Sequence, residues 1–122
     1  ALDIIGYTGS LDNHREVKVY RNDLTAQNWI RVQLTAAAGN RGAAGAKVRL
    51  TEPEPSNRLL WFEQVMILDS QSAHSYCSLV PTERHFGLGG RRAVDVSVEF
   101  YPSGKLVQRN ANANSVVLVA EP

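Results

Sequence analysis

The stretch that leaves the chain least freedom is VDVSVEFY, Val94 to Tyr101, in which apolar and polar residues alternate over seven positions. On an extended chain Val94, Val96, Val98 and Phe100 share one side, and Asp95, Ser97 and Glu99 share the other. A helix would scatter the same residues around its circumference, so the segment is a strand with one buried face. The period of two recurs in WIRVQLTA, where Ile30, Val32 and Leu34 oppose Arg31, Gln33 and Thr35. It recurs again in AKVRLTE, with Val48 and Leu50 inside. LDIIGY and EVKVYR make two further strands joined through TGSLDNH. SVVLVAEP is apolar on both sides and reads as a strand that is central or covered. LLWFEQVMILD has the length of a helix. Its aromatic and β-branched content, and a parity shift at Glu63–Gln64, favour a long strand with a bulge.

Turn-rich segments separate these runs: AAGNRGAAG, EPEPSN, FGLGG, YPSG and RNANAN. Short strands with such punctuation predict an all-β protein, an antiparallel β-sandwich (jelly-roll-like or immunoglobulin-like) in a single domain. A chain of 122 residues is long enough for one core. Its 13 basic and 12 acidic residues leave a formal charge of +1, which argues against a nucleic-acid grip built on bulk charge. Only Arg84, Arg91 and Arg92 gather, too few to make a basic patch. No apolar run reaches the roughly 20 residues of a membrane helix. The single cysteine, Cys77, precludes an internal disulfide and is neutral as to compartment. The chain opens on ALDIIGY without Met, as a processed piece or an excised domain of a longer protein would.

The residues that carry chemistry form no recognisable reactive set. His14, His74 and His85 lack the close spacing of zinc ligands. Cys77, within SYCSL, has none of the local signatures of a nucleophile. Glu52 and Glu54 lie in a Pro-rich loop and Glu63 in an apolar strand, so no carboxylate pair is fixed across a cleft. The glycines of AAGNRGAAGAKV miss the spacing of phosphate-binding loops and precede a strand. The expectation is a protein that is not an enzyme and needs no cofactor. Aromatic side chains remain: Trp29, Trp61, Tyr7, Tyr20, Tyr76 and Tyr101. Such rings either pack on the sheets or offer stacking faces to the C–H surface of a sugar.

NWIRVQL, GNRGAAGAKVRL, SYCSLVPTERHFGLG and VDVSVEFYPSGK follow one another in an order that resembles the ASPIC/UnbV domain, over roughly Asn28 to Glu121. That domain shows a W-L-x-V-x-L strand, an S-N-x-x-G-x-G-A turn, a Y-x-S segment, an H-F-G-L-G motif and a W-P-S-G turn. Here Tyr101 replaces the Trp before PSG, Ala44 replaces a turn glycine, and Cys77 stands where Leu is common. Residues 1–27, with ALDIIGYTGS and EVKVYRND, resemble the two-strand end of an FG-GAP/VCBS repeat packed on the domain of residues 28–122. In such repeats a calcium loop ends in an Asp, at the place of Asp3, but hard cations need six or more oxygens and the rest of that loop is not in the sequence.

The resemblance implies a non-catalytic binding module of a secreted, extracellular multidomain protein. Its partners would be carbohydrate or another extracellular surface ligand, and other domains of the parent chain, with no nucleic acid and no membrane span. The ligand-binding residues expected are Trp61 and Tyr101, then Trp29. The alternative is a structural end-cap or protein–protein interaction domain attached to a β-propeller. In the motifs themselves, Gly87, Gly89 and Gly104 are expected to supply turn geometry, Pro102 to pre-set a turn, and Phe86 and Leu88 to pack.

Overall fold

The computed structural model describes residues 3–9, 15–23, 27–37, 39–40, 42–65 and 83–122. His14, His74, Tyr76 and Cys77 lie outside the described residues, as does the MILD end of the ambiguous segment. Within them the regular structure is all strand: β1 (Ile4–Gly9), β2 (Arg15–Tyr20), β3 (Asn28–Thr35), β4 (Lys47–Thr51), β5 (Leu59–Gln64), β6 (Arg84–Gly89), β7 (Ala93–Glu99), β8 (Leu106–Asn112) and β9 (Ser115–Ala120). A four-stranded sheet, ordered β5-β4-β7-β8, faces a three-stranded sheet, ordered β6-β3-β9, and β1 pairs with β2 in a separate hairpin. The expected all-β sandwich is therefore the fold.

Alternation builds the core directly. Ile30, Val32 and Leu34 of β3, with Phe86 and Leu88 of β6, meet Val48 and Leu50 of β4 and Val94, Val96 and Val98 of β7. Phe100, just beyond β7, closes one end of the same cluster. Each large side chain buried here contributes about 1.5–3 kcal/mol relative to an exposed one. The hairpin is built differently. Ile5 pairs with Val19 and Ile4 with Tyr20, and all four are exposed. Asp3 Oδ1 accepts the Asn22 N–H at 2.8 Å, tying the two ends of the hairpin together.

Four expectations need correction. SVVLVAEP is neither central nor covered: β9 is an edge strand, and Leu118 is 63% exposed. It joins β3 in parallel, Ile30 opposite Ser115 and Thr35 opposite Ala120, in an otherwise antiparallel fold. Asn114 sets that register. Its N–H bonds the Trp29 carbonyl at 2.6 Å, its Oδ1 accepts the Trp29 N–H at 3.2 Å, and its Nδ2 donates to Asn28 Oδ1 at 2.9 Å. Both strands thus start from one asparagine, which holds φ +61°. Second, RNANAN is not all turn, because its first four residues finish β8.

Third, the bulge of β5 comes early, opposite Leu50/Thr51. Leu50 pairs with Trp61 and Thr51 with Leu59, so Leu60 is the extra residue and packs against the core. Fourth, Gly87 makes no turn; it lies inside β6 with open space where a side chain would be. Gly89 and Gly104 do hold left-handed turn positions, at φ +60° and +70°, and Phe86 and Leu88 are buried as expected.

Candidate functional site

The outer face of the four-stranded sheet is a lattice set by register. Across it run three rows: Leu59, Thr51, Asp95, Asn110; then Phe62, Arg49, Ser97, Gln108; then Gln64, Lys47, Glu99, Leu106. These are the partners of core positions, so burying Val48, Leu50, Val94, Val96 and Val98 forces their neighbours outward. Thr51, Asp95 and Asn110 of the first row and Ser97 and Gln108 of the second form the floor of an open trough of about 380 Å³, while Leu59, Arg49 and Phe62 lie beside it on the same face. Glu54 and Asn57 of the β4–β5 loop line it as well, together with Val96 and Arg109. Nearly every lining group is a hydroxyl, an amide or a carboxylate. Asn110 Nδ2 donates to Asp95 Oδ1 at 2.7 Å, fixing the floor's central pair.

The third row is electrically closed. Glu99 takes Lys47 Nζ at 3.2 Å on one oxygen and Arg49 Nη1 at 3.4 Å on the other. The Lys47 hydrogen bond and charge, with Arg49 adding to them, hold the Glu99 carboxyl below its ordinary range. Arg49 also lies over the Phe62 ring, 5.2 Å from its centroid. Phe62 is 51% exposed beside it.

The β4–β5 loop that walls the trough is tied down from outside. Glu52 accepts hydrogen bonds from Ser56 Oγ at 2.6 Å, Arg58 Nη2 at 2.6 Å and Arg91 Nε at 3.2 Å. The Ser56 hydroxyl first, then Arg58, then Arg91 bring its carboxyl from an ordinary 4.5 to about 2. Arg91 lies in the β6–β7 turn, so the cluster joins the two sheets at one edge.

The three aromatic residues singled out from the sequence occupy three different settings, and none lines the trough. Trp61 is 50% exposed, but it stands on the inner side of β5. Its ring centroid is 6.4 Å from that of Phe86, and its Nε1–H bonds the Gly87 carbonyl at 3.1 Å across the sandwich edge. Next to it Glu63 reaches Arg84 Nε at 3.0 Å, and that arginine side chain is 5% exposed. Trp29 lies on the outer face of the three-stranded sheet. It stacks on His85 with centroids 5.9 Å apart and planes at 16°, and Arg31 lies over it at 5.3 Å. Partial burial first, with the neighbouring Arg31 adding to it, lowers the His85 pKa from its ordinary 6.5.

Tyr101 follows β7 and is 58% exposed. Its ring lies against Gly45, where even a Cβ would come within 2.9 Å, so this glycine is required on space as well as on its φ of +83°. Asn40 Nδ2 donates to the Tyr101 carbonyl at 3.1 Å and holds the turn to the β3–β4 loop.

The trough residues escaped the sequence reading because they come from three strands and a loop. A signal was present in the outward residues of VDVSVEF and in QRN, all small or amide-bearing. Among the described residues no group of three or more His, Cys, Asp or Glu side chains could hold a metal ion. Asp3 is engaged with its own hairpin, as above. No helix among them is long and apolar enough to cross a membrane.

Comparison with known proteins gives a family model described as ASPIC and UnbV, which matches residues 36–122. The match begins just past β3 and takes in β4 to β9 with both glycine-bearing motifs. No curated protein and no solved structure matches the chain.

Proposed function

The chain belongs to the ASPIC and UnbV family, and from that premise we propose that it is a non-catalytic recognition module of a larger secreted protein, and that its ligand is carbohydrate. The observation that carries the reading is the polar trough. A sugar ring presents adjacent hydroxyls, each able to donate and to accept. Thr51 and Ser97 hydroxyls do both, Gln108, Asn110 and Asn57 amides offer one of each, and Asp95 and Glu54 accept. Such groups on a paired sheet keep their spacing on binding, which reduces the ordering cost of association. Trp29, with His85 and Arg31, adds a stacking surface on the opposite face, while Trp61 and Tyr101 offer half-exposed rings at the edge and the hairpin end.

The test is affinity electrophoresis of the full chain in gels containing soluble neutral and anionic polysaccharides. Retardation by a polysaccharide, abolished in Gln108→Ala/Asn110→Ala with an unchanged melting temperature, supports the reading. Free migration of the folded chain through the whole panel overturns it.

A second reading, attachment to another protein domain, is favoured by the β1–β2 hairpin alone. A lone two-stranded hairpin is marginal in water, yet this one carries Ile4, Ile5, Val17, Val19 and Tyr20 exposed. Protection of the hairpin from protease in the longer parent protein, but not in this chain, would favour it. Equal cleavage in both would count against it.

A further inference from the structure

We infer that the trough takes a neutral glycan chain laid across the strands, which runs past its edge on the same face so that one sugar ring stacks on Phe62 of β5, beyond Arg49 in the row that holds Ser97 and Gln108. This rests on the carbohydrate reading of the trough and makes it specific in charge, direction and floor.

Charge comes first. The lining carries two carboxylates, Glu54 and Asp95, and one arginine, Arg109, which stands opposite the core residue Val96 and so on the inner side of β8. The two cations nearest the floor on β4 are already committed, since Lys47 and Arg49 share Glu99 and Arg49 lies over Phe62. A uronate or sulfate entering the trough would lose its water beside like charges, without an uncommitted β4 cation to replace the hydration. A neutral hydroxyl has no such cost. It finds acceptors in Asp95 and Glu54 and donors in Gln108, Asn110 and Asn57.

Direction follows from the rows. Along each strand the side chains on this face vary without order, but across the strands the order is the same twice. Leu59 leads to Thr51, Asp95 and Asn110, and Phe62 leads to Arg49, Ser97 and Gln108. The apolar group comes first and the polar groups after it, over three strand spacings of about 4.8 Å each. A glycan chain is amphipathic in the matching sense, with an apolar C–H face on each ring and hydroxyls at its rim. Laid across the rows it puts one ring on Phe62 and the hydroxyls of its neighbours on Ser97, Gln108, Asp95 and Asn110. Laid along the strands it would run onto Lys47 and Glu99 in the closed third row, whereas across them it meets only Arg49 of that triad.

Phe62 is suited to the stacking role by its own surroundings. Arg49 holds the ring in place at 5.2 Å while leaving it 51% exposed. Trp61, the residue before it, faces the other way and spends its N–H on Gly87.

The test is isothermal titration of the full chain with cellohexaose, xylohexaose, mannohexaose and laminarihexaose as neutral probes, and with oligogalacturonate as the anionic one. The expected result is binding of a neutral hexasaccharide and none of oligogalacturonate. Affinity should be nearly constant between about 0.1 M and 1 M salt, over which the Debye length falls from about 10 Å to 3 Å. Phe62→Ala should weaken it about tenfold, or about 1.4 kcal/mol, and Phe62→Tyr should restore it.

Preference for oligogalacturonate, or steep weakening with salt, would overturn the neutral class. Full affinity in Phe62→Ala alongside loss in Asn110→Ala would overturn the stacking position while leaving carbohydrate recognition standing. Heat from none of the probes overturns this inference. If polysaccharide gels still retard the chain, the broader reading survives it.

Discussion

The two outer faces of the sandwich are made by the same rule and put to opposite use. On the four-stranded sheet, the central residues turned away from the core are polar or charged, with Asp95 bonded to Asn110 and Lys47 and Arg49 to Glu99, while Leu59, Phe62 and Leu106 stand on the edge strands. On the three-stranded sheet they include Trp29, His85, Val116 and Leu118, which meet water or each other. Alternation therefore decides which side is inside but is silent about what the outside is for. The polar face has the better claim to a soluble ligand, because its groups are oriented before anything arrives. Among the described residues, the three-stranded sheet's face shows Arg31 bonded to Glu83 beside its exposed apolar side chains.

That contrast can be broken first at its shared support. Val96→Lys, at the core side of β7, should cost more than about 4 kcal/mol and leave no cooperative urea transition. Leu118→Lys, on exposed β9, should change stability by no more than about 0.5 kcal/mol. Equal damage would mean that β9 is covered after all. Next, Arg84→Ala should cost about 1–3 kcal/mol in urea denaturation, because it deprives Glu63 of its partner and empties a buried site between the sheets. Arg84→Met should recover part of that loss, since the arginine's aliphatic stem is what packs there.

A pH series sharpens the comparison at the trough wall. With its pKa brought from 4.5 to about 2, Glu52 binds its proton less readily in the folded chain than in the unfolded one. Its contribution is complete above about 4.5 and is lost as pH falls towards 2. The wild-type melting temperature should decline across that window, and Glu52→Gln should be less stable at neutral pH with a shallower acid decline. Smallest of all, Gln108→Ala and Asn110→Ala should each shift stability by less than about 0.5 kcal/mol. Their effect belongs to polysaccharide retardation, which makes them clean probes of the face.

Much of this fold was legible because its core strands alternate strictly. β3, β4 and β7 could be oriented from Ile30, Val48 and Val96 outward, FGLGG marked the crossing from one sheet to the other and YPSG a hairpin end. β9 was misjudged because Val116 to Val119 are apolar on both sides. Whether such a strand is central or an edge depends on how many neighbours it takes, which is a long-range matter. The early bulge in β5 was equally hidden. Moving it from Glu63–Gln64 to Leu60 leaves Trp61 at the sheet interface and Phe62 on the outer face, so the more conspicuous aromatic drew the attention. The trough itself was illegible for a third reason. Thr51, Asp95, Ser97, Gln108 and Asn110 become neighbours only through the registers of β4, β7 and β8, and no local pattern encodes those offsets.

The parallel pairing of β3 with β9 has a consequence for biosynthesis. The bond from the Trp29 N–H to Asn114 spans 85 residues. At ribosomal speeds of about 5–20 residues per second, β3 would wait on the order of 4–17 s for that partner to be made. Within that interval β6 is made and can pair with one side of β3, while the side that β9 will take stays open. The three-stranded layer is thus completed last, and a chain stalled before Ser115 would be the form most in need of a chaperone.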